Sequence, residues 1–217
     1  MTMPHPWTDL ERRVLEPLET PFLIQAFLDN LPYSTEPVYR CPRSVVRDRL
    51  AHCFDGAVFA AAALRRLGHP PRIVDLRAWR DDDHVLAVYR RDGFWGAVSK
   101  SNCAGLRLRE PVFRNLRELV MSYFEFYFNV ESAKSLRAYS VPLDLDAAYG
   151  AGWVIRDETM ELIATRLDRL RHFSLLRPEM ISALNPVDPR TYAAGMLGAD
   201  ERGLFRPAPE QPAPVTG

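Results

Sequence analysis

The clearest hydrophobic pattern in the chain is a run of apolar, mostly small residues over positions 56–64. The basic pair Arg65 and Arg66 follows it, and Gly68 comes shortly after. Alanine favours helix, basic residues suit the last turn, and glycine suits the position just beyond it. We therefore predict a buried helix that begins at Cys53 and lies close against a sheet.

Strand patterns follow this helix. The stretch Arg72–Trp79 alternates between apolar and polar residues, and two further apolar stretches, His84–Arg90 and Phe94–Lys100, flank Asp92-Gly93. An Asp-Gly pair between two apolar runs is a strong hairpin signal. We predict three antiparallel strands packed on the cysteine-bearing helix, which is an α+β architecture.

Other parts of the chain have helical spacing of apolar residues. We expect a single domain over residues 1–205 with additional N-terminal helices and a helical C-terminal extension, followed by an unstructured stretch rich in Pro and Ala at 206–217. The predicted helices are Thr8–Leu31 (split by Pro17 and Pro21), Ser44–Leu50, Leu116–Phe128, Trp153–Phe173, Pro178–Leu184 and Pro189–Leu197, and a further strand is predicted in Leu136–Leu145.

Composition narrows the class of protein. The 217 residues include 28 Lys and Arg and 28 Asp and Glu, so the formal net charge is zero. A nucleic-acid partner is disfavoured, because phosphate binding depends on clustered basic residues. There is no apolar run of about eighteen residues and no secretory signal pattern. We therefore expect a cytoplasmic protein with no membrane partner.

The three cysteines are Cys41, Cys53 and Cys103, an odd number without close spacing. A disulfide framework is not expected, and the C-x-x-C geometry of many metal sites is lacking. The acidic run 81–83 could bind a hard cation but has no further spaced oxygen ligands, so we interpret it as a solvated loop. No metal and no cofactor are predicted, and the sequence does not indicate an oligomeric state.

The candidate chemistry lies at Cys53 and His84. A thiol at a helix N-terminus lies near unpaired backbone N–H groups, which favour the nucleophilic thiolate. A histidine at the start of a neighbouring strand could act as its base. His52 is an alternative base that we interpret as a helix-entry residue, and Asp55 suits the first helical turn without a catalytic role.

These features resemble the transglutaminase-like group of papain-fold thiol enzymes, over about residues 25–102. The resemblance implies a papain-like core in which Cys, His and Asp follow one another along the chain, with Cys opening a helix, His opening a strand and Asp ending the next strand. The motifs that carry it are His52-Cys53-Phe54-Asp55-Gly56-Ala57, Leu64-Arg65-Arg66-Leu67-Gly68, His84 at the head of a strand, and Trp95 in the next strand.

The chain departs from this pattern at the third position, where Ser99 stands in place of the family's Asp. A two-residue turn makes Ser99 a diagonal neighbour of His84, and a four-residue turn places the two directly opposite each other. In both registers they share one face of the sheet, so the serine oxygen can accept the Nδ1–H of the imidazole, although it supplies no negative charge. Asn102 is an alternative orienting residue, and Ser101 is another candidate.

The resemblance implies a thiol enzyme in which Cys53 attacks an amide or related carbonyl and His84 transfers the proton. The substrate would be a peptide, a protein or a small amide, and the reaction would be proteolysis, deamidation or acyl transfer. The backbone N–H of Cys53 is the first expected oxyanion donor. Arylamine N-acetyltransferase chemistry is a lesser alternative, because the Arg-Gly-Gly-x-Cys approach is absent. From another class, the chain could be an inactive transglutaminase-like domain that binds a peptide or partner protein.

Overall fold

One antiparallel sheet organises the computed structural model, which describes residues 7–208. Nine α-helices and seven strands occur among those residues, and they confirm the predicted mixed α+β class. The helices are α1 Asp9–Leu15, α2 Pro21–Asp29, α3 Pro42–Asp48, α4 Cys53–Arg66, α5 Leu116–Met121, α6 Leu145–Tyr149, α7 Glu158–Arg169, α8 Pro178–Ser182 and α9 Pro189–Gly195. The strands are β1 Arg72–Ala78, β2 His84–Arg91, β3 Phe94–Val98, β4 Arg109–Phe113, β5 Leu136–Ser140, β6 Leu143–Asp144 and β7 His172–Ser174.

The strand that begins at His84 lies in the interior of the sheet, whose order is β4-β3-β2-β1-β5-β7 with β6 paired to part of β1. In the β2–β3 hairpin, Arg91 pairs with Phe94. The two loop residues, Asp92 and Gly93, have φ angles of 52° and 88°, as a tight two-residue turn between strands requires. The two-residue register considered from the sequence is therefore confirmed.

The sheet separates two hydrophobic cores. On one face, helix α4 packs against Val85, Ala87 and other side chains of β2. On the opposite face, Leu86 and Val88 of the same strand pack with side chains from residues 119–127. Alternate residues of a strand point to opposite faces, so a strand buried on both sides is apolar along its length. Helix α4 is buried from Phe54 to Leu64, as its small-residue pattern predicts.

The position of α4 depends on Gly56. A Cβ atom at this glycine would overlap the Cβ atom of Lys100, which follows the end of β3. The helix that carries Cys53 can therefore lie close to the sheet end that carries Ser99. Lys100 itself is buried, and its ammonium donates to the main-chain oxygens of Leu28 and Leu31 at 2.8 Å and 2.5 Å.

Two of the predicted helices are wrong in extent. Helix α5 ends at Met121, because the Ser122 hydroxyl bonds back to the Leu119 carbonyl oxygen at 2.6 Å and a 3₁₀ turn follows at Phe124–Phe126. Helix α7 spans only Glu158–Arg169, since a 3₁₀ helix covers Gly150–Val154 and Phe173 belongs to β7. In both places, tertiary pairing and local side-chain bonds override helical periodicity.

Strands β4 and β7 were not predicted, and the single strand predicted in Leu136–Leu145 is divided into β5 and β6. Strand β4 begins at Arg109, whose guanidinium carbon lies 3.9 Å from the ring centroid of Tyr123. Strands β6 and β7 are two and three residues long, too short to show a period. Residues 206–208 of the predicted unstructured stretch have no regular structure, and 209–217 lie outside the described residues. Within residues 7–208, no helix is long and apolar enough to cross a membrane.

Candidate active site

Cys53 is the first residue of α4. The preceding residue, His52, caps the helix, because its Nδ1 accepts the N–H of Phe54 at 3.1 Å. The Sγ atom of Cys53 lies 3.8 Å from the main-chain oxygen of Asp83, the residue directly before His84. Burial, with added repulsion from Asp82 and Asp55, raises the pKa of the Cys53 thiol to about 12. The resting residue is therefore a neutral thiol.

The ring of His84 is buried and held through one nitrogen. Its Nε2 lies 3.0 Å from the main-chain oxygen of Leu106 and 3.3 Å from Oγ of Ser99. A carbonyl oxygen can only accept, so Nε2 carries the proton and Nδ1 has the lone pair. The expectation that Ser99 would bind Nδ1–H is wrong, because Nε2 is the nitrogen that faces it. Within residues 7–208, no group hydrogen-bonds Nδ1.

The imidazole of His84 is neutral at rest. Burial lowers its pKa to about 4, and the charge of Arg109 acts in the same direction, whereas the hydrogen bond to Leu106 acts against it. A neutral imidazole with a free Nδ1 lone pair is a proton acceptor. Cys53 and His84 are thus a neutral acid and a neutral base rather than an ion pair, and no hydrogen bond within residues 7–208 joins the Cys53 Sγ atom to the His84 ring.

Ser99 lies beside His84, as the hairpin register requires, and is itself held firmly. Its hydroxyl donates to the Leu106 oxygen at 2.8 Å, which leaves a lone pair for the Nε2–H of His84. The side chain of Gln25 bonds both main-chain groups of Ser99, accepting its N–H at 3.2 Å and donating to its oxygen at 2.9 Å. The imidazole is therefore oriented by one hydroxyl and one carbonyl oxygen, and neither is charged.

The structure places the other two candidate orienting residues elsewhere. The amide of Asn102 makes a reciprocal pair with the main chain of Asp200, with both hydrogen bonds at 2.8 Å. Ser101 accepts the N–H of Cys103 at 2.9 Å through its hydroxyl. Neither side chain hydrogen-bonds His84.

Two cavities meet at Cys53. A cavity of about 60 Å³ is lined by both Cys53 and His84, together with Tyr127 and Leu106. A much larger cleft of about 900 Å³ is lined by Cys53 but not by His84. We call them the inner cavity and the outer cleft. The inner cavity is where the candidate nucleophile and base share one space.

The outer cleft carries unbalanced negative charge. The carboxylates of Asp82, Glu161 and Asp168 line it, and none of them forms an ion pair with any of residues 7–208. The lining guanidinium of Arg202 is paired with Asp200 at 2.6 Å. Burial lowers the pKa of the lining histidine, His52, to about 4, so it adds no positive charge at neutral pH.

Several residues that support the site were missed from the sequence. Tyr33 lines both cavities. Burial raises the pKa of its phenol, and the nearby N–H of Cys53 acts in the opposite direction. Gln25 and Leu106 hold Ser99 and His84, but a glutamine on a helix and a main-chain carbonyl have no sequence signature. The phenol of Tyr127, interpreted as part of a helix face, donates to the Asp82 main-chain oxygen at 2.8 Å and fixes the loop before His84.

The remaining candidates have structural roles. Asp81 accepts the Ser135 hydroxyl at 2.6 Å and Asp83 accepts the Ala78 N–H at 2.8 Å, so these carboxylates hold the loop rather than lying free in solvent. Asp55 is fully buried and accepts the N–H of Arg40 at 2.8 Å. No group of three or more His, Cys, Asp and Glu side chains within residues 7–208 is arranged to hold a metal ion. A comparison of the chain with protein-family models and with curated proteins finds no match.

Proposed function

We propose that this chain is a transglutaminase-like thiol enzyme with a papain-like core, in which Cys53 attacks an amide or related carbonyl and His84 is the base. The observation that carries the proposal is the tautomer of His84. The Leu106 oxygen holds the proton on Nε2, so the lone pair is on Nδ1, and His84 shares the inner cavity with Cys53. A base fixed in the proton-accepting form that lines the same cavity as a thiol supports nucleophilic catalysis.

In the proposed reaction, the Cys53 thiol proton moves to Nδ1 of His84 as Sγ bonds the substrate carbonyl carbon. The carbonyl electrons move to oxygen, and the N–H of Cys53 at the helix start is the first donor to that oxyanion. Collapse of this intermediate breaks the C–N bond, and Nδ1–H protonates the departing amine. Water or a second amine then attacks the thioester with His84 again as base, which releases the acid or the new amide.

The neutral ground state determines how this enzyme differs from one with a preformed ion pair. The thiolate forms only as the proton transfers, so Cys53 is a poor target for simple alkylation at neutral pH but a competent one for acylating substrates. The Ser99 hydroxyl orients the ring without stabilising imidazolium by charge, which is consistent with a slower enzyme than one with a carboxylate at this position.

The test is acyl-enzyme trapping. The protein is mixed with p-nitrophenyl acetate, quenched in acid and mapped by peptide mass spectrometry, with Cys41 and Cys103 as internal comparators. The proposal expects an acetyl group on Cys53 formed faster than on the other two cysteines, together with a burst of nitrophenol that Cys53→Ser abolishes. Equal and slow acetylation of all three cysteines would contradict it.

A second candidate is an inactive transglutaminase-like domain that binds a peptide or partner protein. The observation that favours it is the electrostatics of the pair, since the pKa of Cys53 is raised to about 12 and that of His84 is lowered to about 4. An inactive domain would keep the fold and the outer cleft, but Cys53 would not react with acylating reagents. In the same trapping experiment it predicts no acetyl-Cys53 above the background set by the other cysteines.

A further inference from the structure

A C-terminal segment of the chain lines the inner cavity. Gly203, Leu204 and Phe205 line both the inner cavity and the outer cleft, so they lie across the junction between the two. We call residues 200–205 the strap. No residue of the strap belongs to the sheet, and apart from the 3₁₀ turn Glu201–Gly203 it has no regular structure.

A few specific contacts fix the strap in place. At its start, the amide of Asn102 makes the reciprocal pair of hydrogen bonds with the Asp200 main chain, both 2.8 Å. In its middle, Gly203 lies so close to the ring of Tyr33 that an added Cβ would be 2.8 Å from Cδ1. Beyond its end, the Arg80 guanidinium donates to the Ala208 main-chain oxygen at 3.2 Å. These contacts join the strap to the loops around His84 and after Ser99.

The size of the inner cavity is incompatible with a bound peptide. Ligand pockets have volumes of roughly 300 Å³ or more, whereas about 60 Å³ holds only a few water molecules. The outer cleft is large enough, but His84 does not line it. A substrate carbonyl must lie between Sγ and the imidazole, next to the inner cavity that the strap lines.

We infer that the strap occupies the substrate position as an internal pseudo-substrate, and that the substrate is an extended polypeptide with two adjacent apolar side chains where Leu204 and Phe205 now lie. The identity of the occupant as a substrate rests on the proposed function, whereas the closure of the inner side of Cys53 by the strap is independent of it. The side chain of Phe205 is 40% exposed, so little of its apolar surface is buried in the folded chain. Displacing the strap therefore loses little apolar contact.

The test compares access to Cys53 in three full-length variants. Gly203→Ala pushes the strap from Tyr33, and Asn102→Ala removes the bonds to Asp200. The matched control is Gly152→Ala, where the nearest atom to an added Cβ is 3.5 Å away. Each protein is labelled at pH 8 with a bulky fluorescein maleimide and with N-ethylmaleimide, and the labelled cysteines are mapped.

We expect both strap variants to raise the bulky-reagent rate at Cys53 about tenfold, corresponding to about 1.4 kcal/mol of lost strap closure, and to raise the small-reagent rate less. Cys41 is 1% exposed, so its labelling reports unfolding. A variant in which Cys41 is labelled quickly has unfolded and is not used. Rates at Cys53 equal to those of the wild type in both variants would overturn the occlusion.

The substrate class is tested in Gly203→Ala with a synthetic peptide of residues 199–206 and a second peptide with Ala at both Leu204 and Phe205. Protection of Cys53 by the first peptide alone supports the inference. Equal protection by both, or none by either at millimolar concentration, overturns it. Adding His84→Ala separates the two proposals. If the strap variants still expose Cys53 but His84→Ala leaves acetylation of Cys53 unchanged, the proposed function is wrong and the inference about the strap is retained.

Discussion

Two environments meet near Cys53 and differ in how well their polar and charged groups are satisfied. On the inner side, the neutral hydroxyl of Ser99 and the Leu106 oxygen satisfy the ring of His84. In the outer cleft, the carboxylates of Asp82, Glu161 and Asp168 form no ion pair with any of residues 7–208, and Asp82 lines the inner cavity as well. The first environment favours proton transfer between neutral groups, and the second disfavours a standing thiolate. In the proposed mechanism, the reactivity of Cys53 therefore depends on the inner side.

The change expected to have the largest effect is His84→Ala, which removes the only base on the inner side that we assign. General-base catalysis contributes roughly 10²- to 10⁴-fold, so the acetylation rate of Cys53 should fall by about that factor at pH 7. Stopped-flow release of nitrophenol measures it. The control is His69→Ala, because His69 packs against Tyr89 outside both cavities. Equal losses in the two variants would show that the effect is structural.

Removing the carboxylate of Asp82, which lines both cavities, should have the opposite sign. Repulsion from Asp82 raises the pKa of Cys53, so Asp82→Asn should lower that pKa and increase iodoacetamide labelling of Cys53 at pH 8 by roughly three- to tenfold. The matched control is Asp92→Asn at the exposed hairpin turn, where asparagine tolerates the positive φ. A rate unchanged by Asp82→Asn but raised by Asp92→Asn would argue against a local field.

Ser99→Ala should have a smaller effect than His84→Ala, because Nε2 of His84 retains the Leu106 oxygen. We expect a fall in the acetylation rate of roughly three- to tenfold, the size of one modest hydrogen bond. Ser99→Asp should instead raise the pKa of His84 and shift the acid limb of the rate profile to higher pH, because the neutral imidazole is the base. The two variants are compared through pH profiles of acetylation. Coincident profiles for both variants and the wild type would remove Ser99 from the site.

The fold around this pair was largely predictable from the sequence, because its signals are local. The Ala-rich helix, the Asp-Gly turn and the apolar strand after His84 each follow from short patterns. The features that set the chemistry are not local. The Leu106 oxygen that fixes the tautomer lies 22 residues from His84 and is a main-chain atom, which has no side-chain identity to recognise. Asn102 was assigned a possible orienting role, whereas its partner is Asp200, 98 residues away.

A separate expected effect is on the pH dependence of stability. Burial lowers the pKa of His52 to about 4 in the folded chain, so the unfolded chain binds more protons between pH 6.5 and 4. The free energy of unfolding therefore falls as the pH is lowered through that window, by at most roughly 1.4 kcal/mol per pH unit for one histidine. His52→Asn keeps a helix cap and removes this titration, so urea unfolding should become less pH-dependent. An unchanged slope would exclude His52 as a contributor.

The most direct test of the account is the protonation of His84 itself. Two-bond ¹H–¹⁵N correlation NMR of ¹⁵N-histidine-labelled protein at pH 7, with the His84 signals assigned by His84→Gln, distinguishes the two neutral tautomers and the imidazolium. The account predicts a neutral ring with its proton on Nε2, which titrates only near pH 4. An Nδ1–H tautomer, or an imidazolium that persists at pH 7 and is lost in Cys53→Ala, would contradict the neutral pair on which the proposed mechanism depends.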